Sequence, residues 1–256
     1  MQKIETYNRF TTLIDAVCYW LGYQVKIGRE KLIHEASLRY PIADAITSGN
    51  VAINQINLEK SHPLFKEKRI DLVVFEKDKV DNLPKEIYEF KIAKYTTKGS
   101  VEYQRVFDDI VRLAYYNMVT HNECYFLMCG TYDNFRHHFV GDKITPTNIK
   151  GITTIPVKKD QIGGWNSSGI YEEWFAFSTD IESNEKEKTF EIKDKNAEKE
   201  WGLKIFKNNY EVRDNYKSHG FYDSDKIKIK TICLAITAFA TDKTHAAGLW
   251  KIESKP

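Results

Sequence analysis

The sequence predicts an α/β fold, and three observations carry that expectation. Apolar residues recur at helical spacing in two N-terminal segments and again over residues 101–119. Between those helical stretches lie three runs with the apolar content and alternation of strands. A last short run, Cys124-Tyr-Phe-Leu-Met-Cys-Gly130, is apolar throughout, as expected of a strand buried on both faces. The expected order is helix, helix, three strands, helix, strand.

Taken in turn, Phe10, Leu13, Ile14, Val17, Cys18 and Leu21 form one helical stripe, which places a helix over Tyr7 to Leu21 with its end near Gly22. A second helix is expected over Lys31 to Ile46, with Pro41 kinking or splitting it. Val51 to Leu58 alternates and reads as the first strand. The second and third strands are Arg69-Ile-Asp-Leu-Val-Val-Phe75 and Glu86-Ile-Tyr-Glu-Phe-Lys-Ile92, joined by a charged hairpin connection over residues 77–85. Val106, Phe107, Ile110, Leu113, Ala114 and Met118 then mark the third helix.

Beyond residue 150 the pattern is harder to read. The strongly charged stretch Glu182 to Glu200 is expected to be a surface excursion. Lys226 to Phe239 and Ala246 to Ile252 are expected to be two strands joined by a turn. The aromatic group Tyr171, Trp174, Phe175 and Phe177 reads as core packing rather than a base-stacking platform.

Bulk properties exclude little. A chain of 256 residues with 42% hydrophobic content has ample material for a packed core. A net charge of +2 neither demands nor excludes a nucleic-acid partner. The four cysteines form no C-x-x-C pair, which argues against a zinc site or a disulfide framework. No secretion signal and no apolar run long enough to span a bilayer is evident, so a cytoplasmic location is expected.

The chemistry concentrates on two strands. Side chains alternate along a strand, so Glu89 and Lys91 share one face while Tyr88, Phe90 and Ile92 point to the other. If the two strands are neighbours, Asp71 joins Glu89 and Lys91. Two carboxylates suit Mg²⁺, which takes oxygen ligands and keeps several waters; Mn²⁺ is the expected substitute. The main-chain carbonyl of Phe90 or Ile92 is a further donor. Lys91 can orient an attacking water, accept its proton or stabilise the transition state, and the sequence leaves these roles open. The bland alternative is a surface ion-pair ladder, which does not explain an Asp inside Ile-Asp-Leu-Val-Val-Phe.

Asp71 followed by Glu89-Phe90-Lys91 resembles the motif of the PD-(D/E)XK nuclease superfamily, although Ile70 stands where a Pro commonly precedes the Asp. The resemblance implies a restriction-endonuclease-like αβββαβ core, with a mixed central sheet flanked by helices, over residues 1–150. Residues 151–256 are then a C-terminal α+β region packed on that core. It further implies that Glu35, with Glu30 as the weaker choice, contributes a third metal ligand. Gln104 matches a position that some branches use, and Lys94 is a candidate for holding substrate phosphate.

The expected function is metal-dependent hydrolysis of phosphodiester bonds, in DNA more than RNA, in restriction or phage defence. Cutting both strands of a duplex favours a homodimer. A non-catalytic nucleic-acid-binding or assembly subunit that keeps the fold is the alternative. Other motifs fail: His34-Glu35 lacks the second His of H-E-x-x-H, and no P-loop, dinucleotide or nucleophile-elbow pattern occurs.

Overall fold

The computed structural model describes residues 9–49, 51–63, 65, 68–77, 83–93, 100–135, 175, 187–193, 222–223, 226–237 and 244–254, without the side chains of 100–104, 191–193, 222–223 and 226–227. Helix α1 runs Arg9–Lys26 and α2 Glu35–Thr47. Strands β1 (Ile56–Ser61), β2 (Arg69–Val74) and β3 (Glu86–Ala93) follow. Helix α3 (Ser100–Thr120) leads into β4 (Glu123–Thr131). Later in the chain come β5 (Glu187–Lys193), β6 (Tyr222–Asp223), β7 (Lys226–Ile236) and β8 (His245–Ser254). The fold is α/β, with the expected succession of helix, helix, three strands, helix, strand through residue 131.

One mixed sheet of eight strands organises these elements, in the order β1-β2-β3-β4-β8-β7-β5, with β6 paired to β7. β1, β2 and β3 are antiparallel neighbours, and β3 and β4 are parallel. That parallel pair needs a crossover, and α3 supplies it. β8 pairs antiparallel with β4, so the C-terminal strands extend the same sheet.

Helices cover both faces. Leu13, Ile14, Val17 and Leu21 of α1 and Leu38 and Ile42 of α2 pack on one side, against Leu72, Tyr88, Phe90 and Leu127. On the other, Val106, Phe107, Ile110 and Leu113 of α3 pack against Val73, Ile87, Phe126 and Trp250. β4 alternates between the two cores, Phe126 and Met128 facing α3, Tyr125 and Leu127 facing α1. Its continuous apolar run therefore has the cause expected of it. Phe175 is buried and stacks on Phe126 with ring centroids 5.4 Å apart; Tyr171, Trp174 and Phe177 lie outside the described residues.

Several boundaries differ from expectation. α1 passes through Gly22, whose α-carbon faces Thr244 and His245, and ends four residues later. The second helix begins at Glu35, because His34 and Ser37 form a reciprocal capping box; a short 3-10 turn, Glu30–Leu32, precedes it. Pro41 lies inside α2 without ending it. Residues 53–55 form a 3-10 turn, so β1 starts at Ile56. The charged stretch after residue 182 contains β5, paired with β7, with Phe190 packed on the core.

Gly248 shows how tightly β8 is built. A Cβ there would lie 2.2 Å from the Trp250 indole, which is fully buried. Gly248→Ala is expected to destabilise by about 1–3 kcal/mol, the usual cost of overpacking. Urea unfolding would read it, and an unchanged midpoint would show that the indole moves freely.

Candidate active site

Antiparallel pairing of β2 and β3 runs from Val74↔Glu86 to Leu72↔Tyr88. One step further, Asp71 Oδ2 accepts the Phe90 amide at 2.9 Å. Asp71 therefore lies beside the Glu89-Phe90-Lys91 segment, as neighbouring strands require. Phe90 buries its ring against α1 and α2, which leaves Glu89 and Lys91 toward α3. Within one residue, N–H and C=O point to the same strand edge, so the Phe90 carbonyl faces the Asp71 side.

Every charge of this trio meets an opposite charge from a helix. Arg39 of α2 donates to Asp71 Oδ1 at 3.1 Å and reaches Glu59 at 2.7 Å. Glu35, one helical turn before Arg39, bonds Lys91 Nζ at 3.2 Å. From α3, Asp109 Oδ2 forms an ion pair with Lys91 Nζ at 2.9 Å, and Arg112 donates to Glu89 at 3.4 Å. Arg112 also bonds Asp109. Glu59 lies on β1 between the pairs Leu58↔Leu72 and Lys60↔Ile70, with φ of +53°. A non-glycine residue there is strained, and such strain gathers near functional sites.

The site is not a surface ladder. Glu89 is 4% exposed and Asp109 3%. Burial pushes the Glu89 carboxyl well above the usual range, and Asp109 and Asp71 add to this against the opposing pull of Arg112 and Lys91. Burial works against the Lys91 charge, but Asp109 and Glu35 outweigh it and hold the ammonium above its ordinary value. Burial likewise opposes ionised Asp109, yet Lys91 and Arg112 keep it below the usual carboxylate value.

The oxygen donors suit a hard divalent cation at two carboxylates, Asp71 and Glu89. Asp71 pairs with Arg39 and Glu89 with Arg112, so each carboxylate already meets one cation. Among the described residues, no group of three or more His, Cys, Asp or Glu could hold a metal ion. The expected third ligand, Glu35, is turned to Lys91 instead. Mg²⁺ needs only one or two protein carboxylates when substrate supplies the rest, so the two-donor arrangement fits. Lys94 lies outside the described residues, as does the side chain of Gln104.

Arg39, Asp109 and Arg112 join the cluster without having been expected there. A signal for the α3 pair exists. Val106, Phe107, Ile110, Val111, Leu113, Ala114, Tyr115 and Tyr116 are all buried and surround the helix. Asp109 and Arg112 thus have no solvated face, and buried charges need partners.

His62 stands near this cluster, edge-on to Phe65 and Tyr116 at 4.7 and 5.8 Å. Burial, aided by the Arg112 charge, lowers its pKa from 6.5 to about 3. Between those values the unfolded chain binds a proton that the folded chain refuses. Stability therefore falls as pH drops from about 6.5 toward about 3, by up to about 1.4 kcal/mol per unit. His62→Leu is expected to flatten the acid limb of a melting-temperature profile; an unchanged slope would assign that limb to other groups.

Among the described residues, no helix is long and apolar enough to cross a membrane. No protein-family model, no curated protein and no solved structure matches this chain.

Proposed function

We propose that the protein is a metal-dependent nuclease with a restriction-endonuclease-like αβββαβ core, hydrolysing phosphodiester bonds in DNA more readily than in RNA. One observation carries this reading: Asp71 and the Glu89–Lys91 pair, remote in sequence, come together where β2 and β3 part. The order helix, helix, three strands, helix, strand agrees with it, as does the parallel β3–β4 pair bridged by α3. A role in restriction or phage defence, in the cytoplasm and as a homodimer, follows by analogy with the superfamily.

Asp71 and Glu89 would hold Mg²⁺, or Mn²⁺ in its place, with the Phe90 carbonyl as a nearby oxygen. The bound ion would offset charge on the scissile phosphate and acidify a water. Asp71 has a second task, since its bond to the Phe90 amide fixes the approach of β3 to β2. Lys91 enters with its proton held by Asp109 and Glu35, which favours an ammonium that orients water or stabilises the transition state over a general base. Burial of Glu89 and Asp109 keeps the surroundings poor in water, which strengthens each charge interaction.

A second reading has its own support. Asp71 already engages Arg39 and Phe90, and Glu89 engages Arg112. Such a network could serve a binding or assembly subunit without chemistry. The test is to assay wild type, Asp71→Ala and Lys91→Ala on plasmid, linear and single-stranded DNA and on RNA, with Mg²⁺, Mn²⁺ or EDTA. Metal-dependent cutting that falls by about 10²–10⁴-fold in either variant is expected. Nucleic-acid binding without cutting supports the second reading.

A further inference from the structure

We propose that Asp109 on α3 is a positioning residue for Lys91, an inference that rests on the nuclease reading of the site. Lys91 carries its amine on a flexible four-carbon stem, which alone does not define a place for the charge. Two carboxylates hold it, and they differ in rigidity. The Glu35 side chain is 44% exposed, whereas that of Asp109 is 5% exposed. Asp109 is also the closer, at 2.9 Å against 3.2 Å.

Asp109 is itself fixed. Arg112, three residues along the same helix, bonds its other oxygen and reaches on to Glu89 at 3.4 Å. The chain Lys91–Asp109–Arg112–Glu89 thus ties both Glu89 and Lys91 of β3 to one rigid helix. Burying two charges on α3 is costly, and apolar residues of similar volume commonly serve stability as well or better. The buried pair touches both reactive groups at its two ends, and this gives it a purpose that packing does not.

Placement matters because a misplacement of about 1 Å can cost about 10²-fold in rate. Asp109→Glu keeps the charge but moves the carboxylate by one methylene. A role in charge balance alone leaves turnover intact in that variant. A positioning role lowers kcat by at least about 10-fold with KM within about 3-fold.

The experiment measures kcat and KM for wild type, Asp109→Glu, Asp109→Asn, Lys91→Ala and Lys91→Ala/Asp109→Asn on the DNA that wild type cuts, alongside melting curves. Asp109→Asn is expected to lose about 10²-fold in kcat, and the double variant to be no worse than Lys91→Ala. Wild-type turnover in Asp109→Glu, or losses that multiply in the double variant, would overturn the proposal. Reductive methylation of Lys91, read by mass spectrometry, needs no cleavage. Lys91 should be protected in wild type and label at least about 3-fold faster in Asp109→Asn. Should wild type cut no nucleic acid, the nuclease reading fails. Labelling then decides separately whether Asp109 holds Lys91, and equal rates in both proteins would overturn that hold as well.

Discussion

Glu89→Gln is expected to abolish metal-dependent cleavage and, in EDTA at neutral pH, to raise the melting temperature by about 2–4 °C, the shift that about 1 kcal/mol produces in a domain of this size. The loss follows because an amide is a far poorer ligand for a hard cation than a carboxylate. The gain follows from linkage. Burial, with Asp109 and Asp71, raises the folded-state pKa of Glu89 above its ordinary value of 4.5. Above pH 4.5 the unfolded chain sheds a proton that the folded chain tends to keep, so this carboxyl costs stability as pH rises. The advantage of the variant should therefore shrink below pH 4.5, where both states hold the proton. Arg112 can still donate to the amide oxygen and keeps its bond to Asp109. A variant that melts lower than wild type at pH 7 would show that the Arg112 pairing outweighs the buried charge.

Removing Arg112 should have the opposite effect on stability. Arg112→Ala leaves Asp109 and Glu89, both nearly inaccessible to water, without the guanidinium they share. Breaking a buried pair from one side costs about 3–5 kcal/mol, because the remaining charge has no compensation. Lys91 limits the damage, since Asp109 retains its bond to the amine. Both carboxylates meet one guanidinium nitrogen, Nη2, so Arg112→Lys should recover part of the loss, with a charge held less rigidly on its flexible stem. Chemical denaturation gives the comparison. A loss under about 1 kcal/mol for Arg112→Ala would mean that water or a proton replaces the guanidinium easily.

Legibility from sequence followed the range of the interactions involved. Asp71, Glu89 and Lys91 could be found because a strand's alternation is local, and a charge inside an apolar strand is conspicuous. The pairing was less legible. Glu35 reads as a metal ligand and not as a partner of Lys91, and Arg39, one helical turn on, has a spacing that any surface helix shows. Asp109 and Arg112 look like an ordinary i,i+3 pair until the apolar residues around the whole of α3 are counted.

Boundaries failed where side chains override the hydrophobic pattern. His34 and Ser37 start α2 later than its apolar stripe suggests. β1 keeps alternating in burial through Glu59, Lys60 and Ser61, but these residues are all polar, so its hydrophobic pattern stops at Leu58 and hides the strand's end. β5 escaped notice because its position at the sheet edge lets charged residues crowd the strand, with Glu191 and Lys193 alternating with Phe190 and Ile192. Edge strands of this kind resemble solvated loops in composition.

On the proposed reading, Asp71 and Glu89 share a divalent cation beside a phosphate ester. Mn²⁺ binding followed by electron paramagnetic resonance, with a DNA duplex present, addresses it directly in wild type and in Asp71→Ala/Glu89→Gln. Wild type is expected to bind Mn²⁺ with a signal that strengthens when DNA is added, and the double variant to lose at least about 10-fold in affinity. Equal binding by both proteins, or none by wild type at millimolar Mn²⁺ with DNA present, would show that these two carboxylates hold no shared ion.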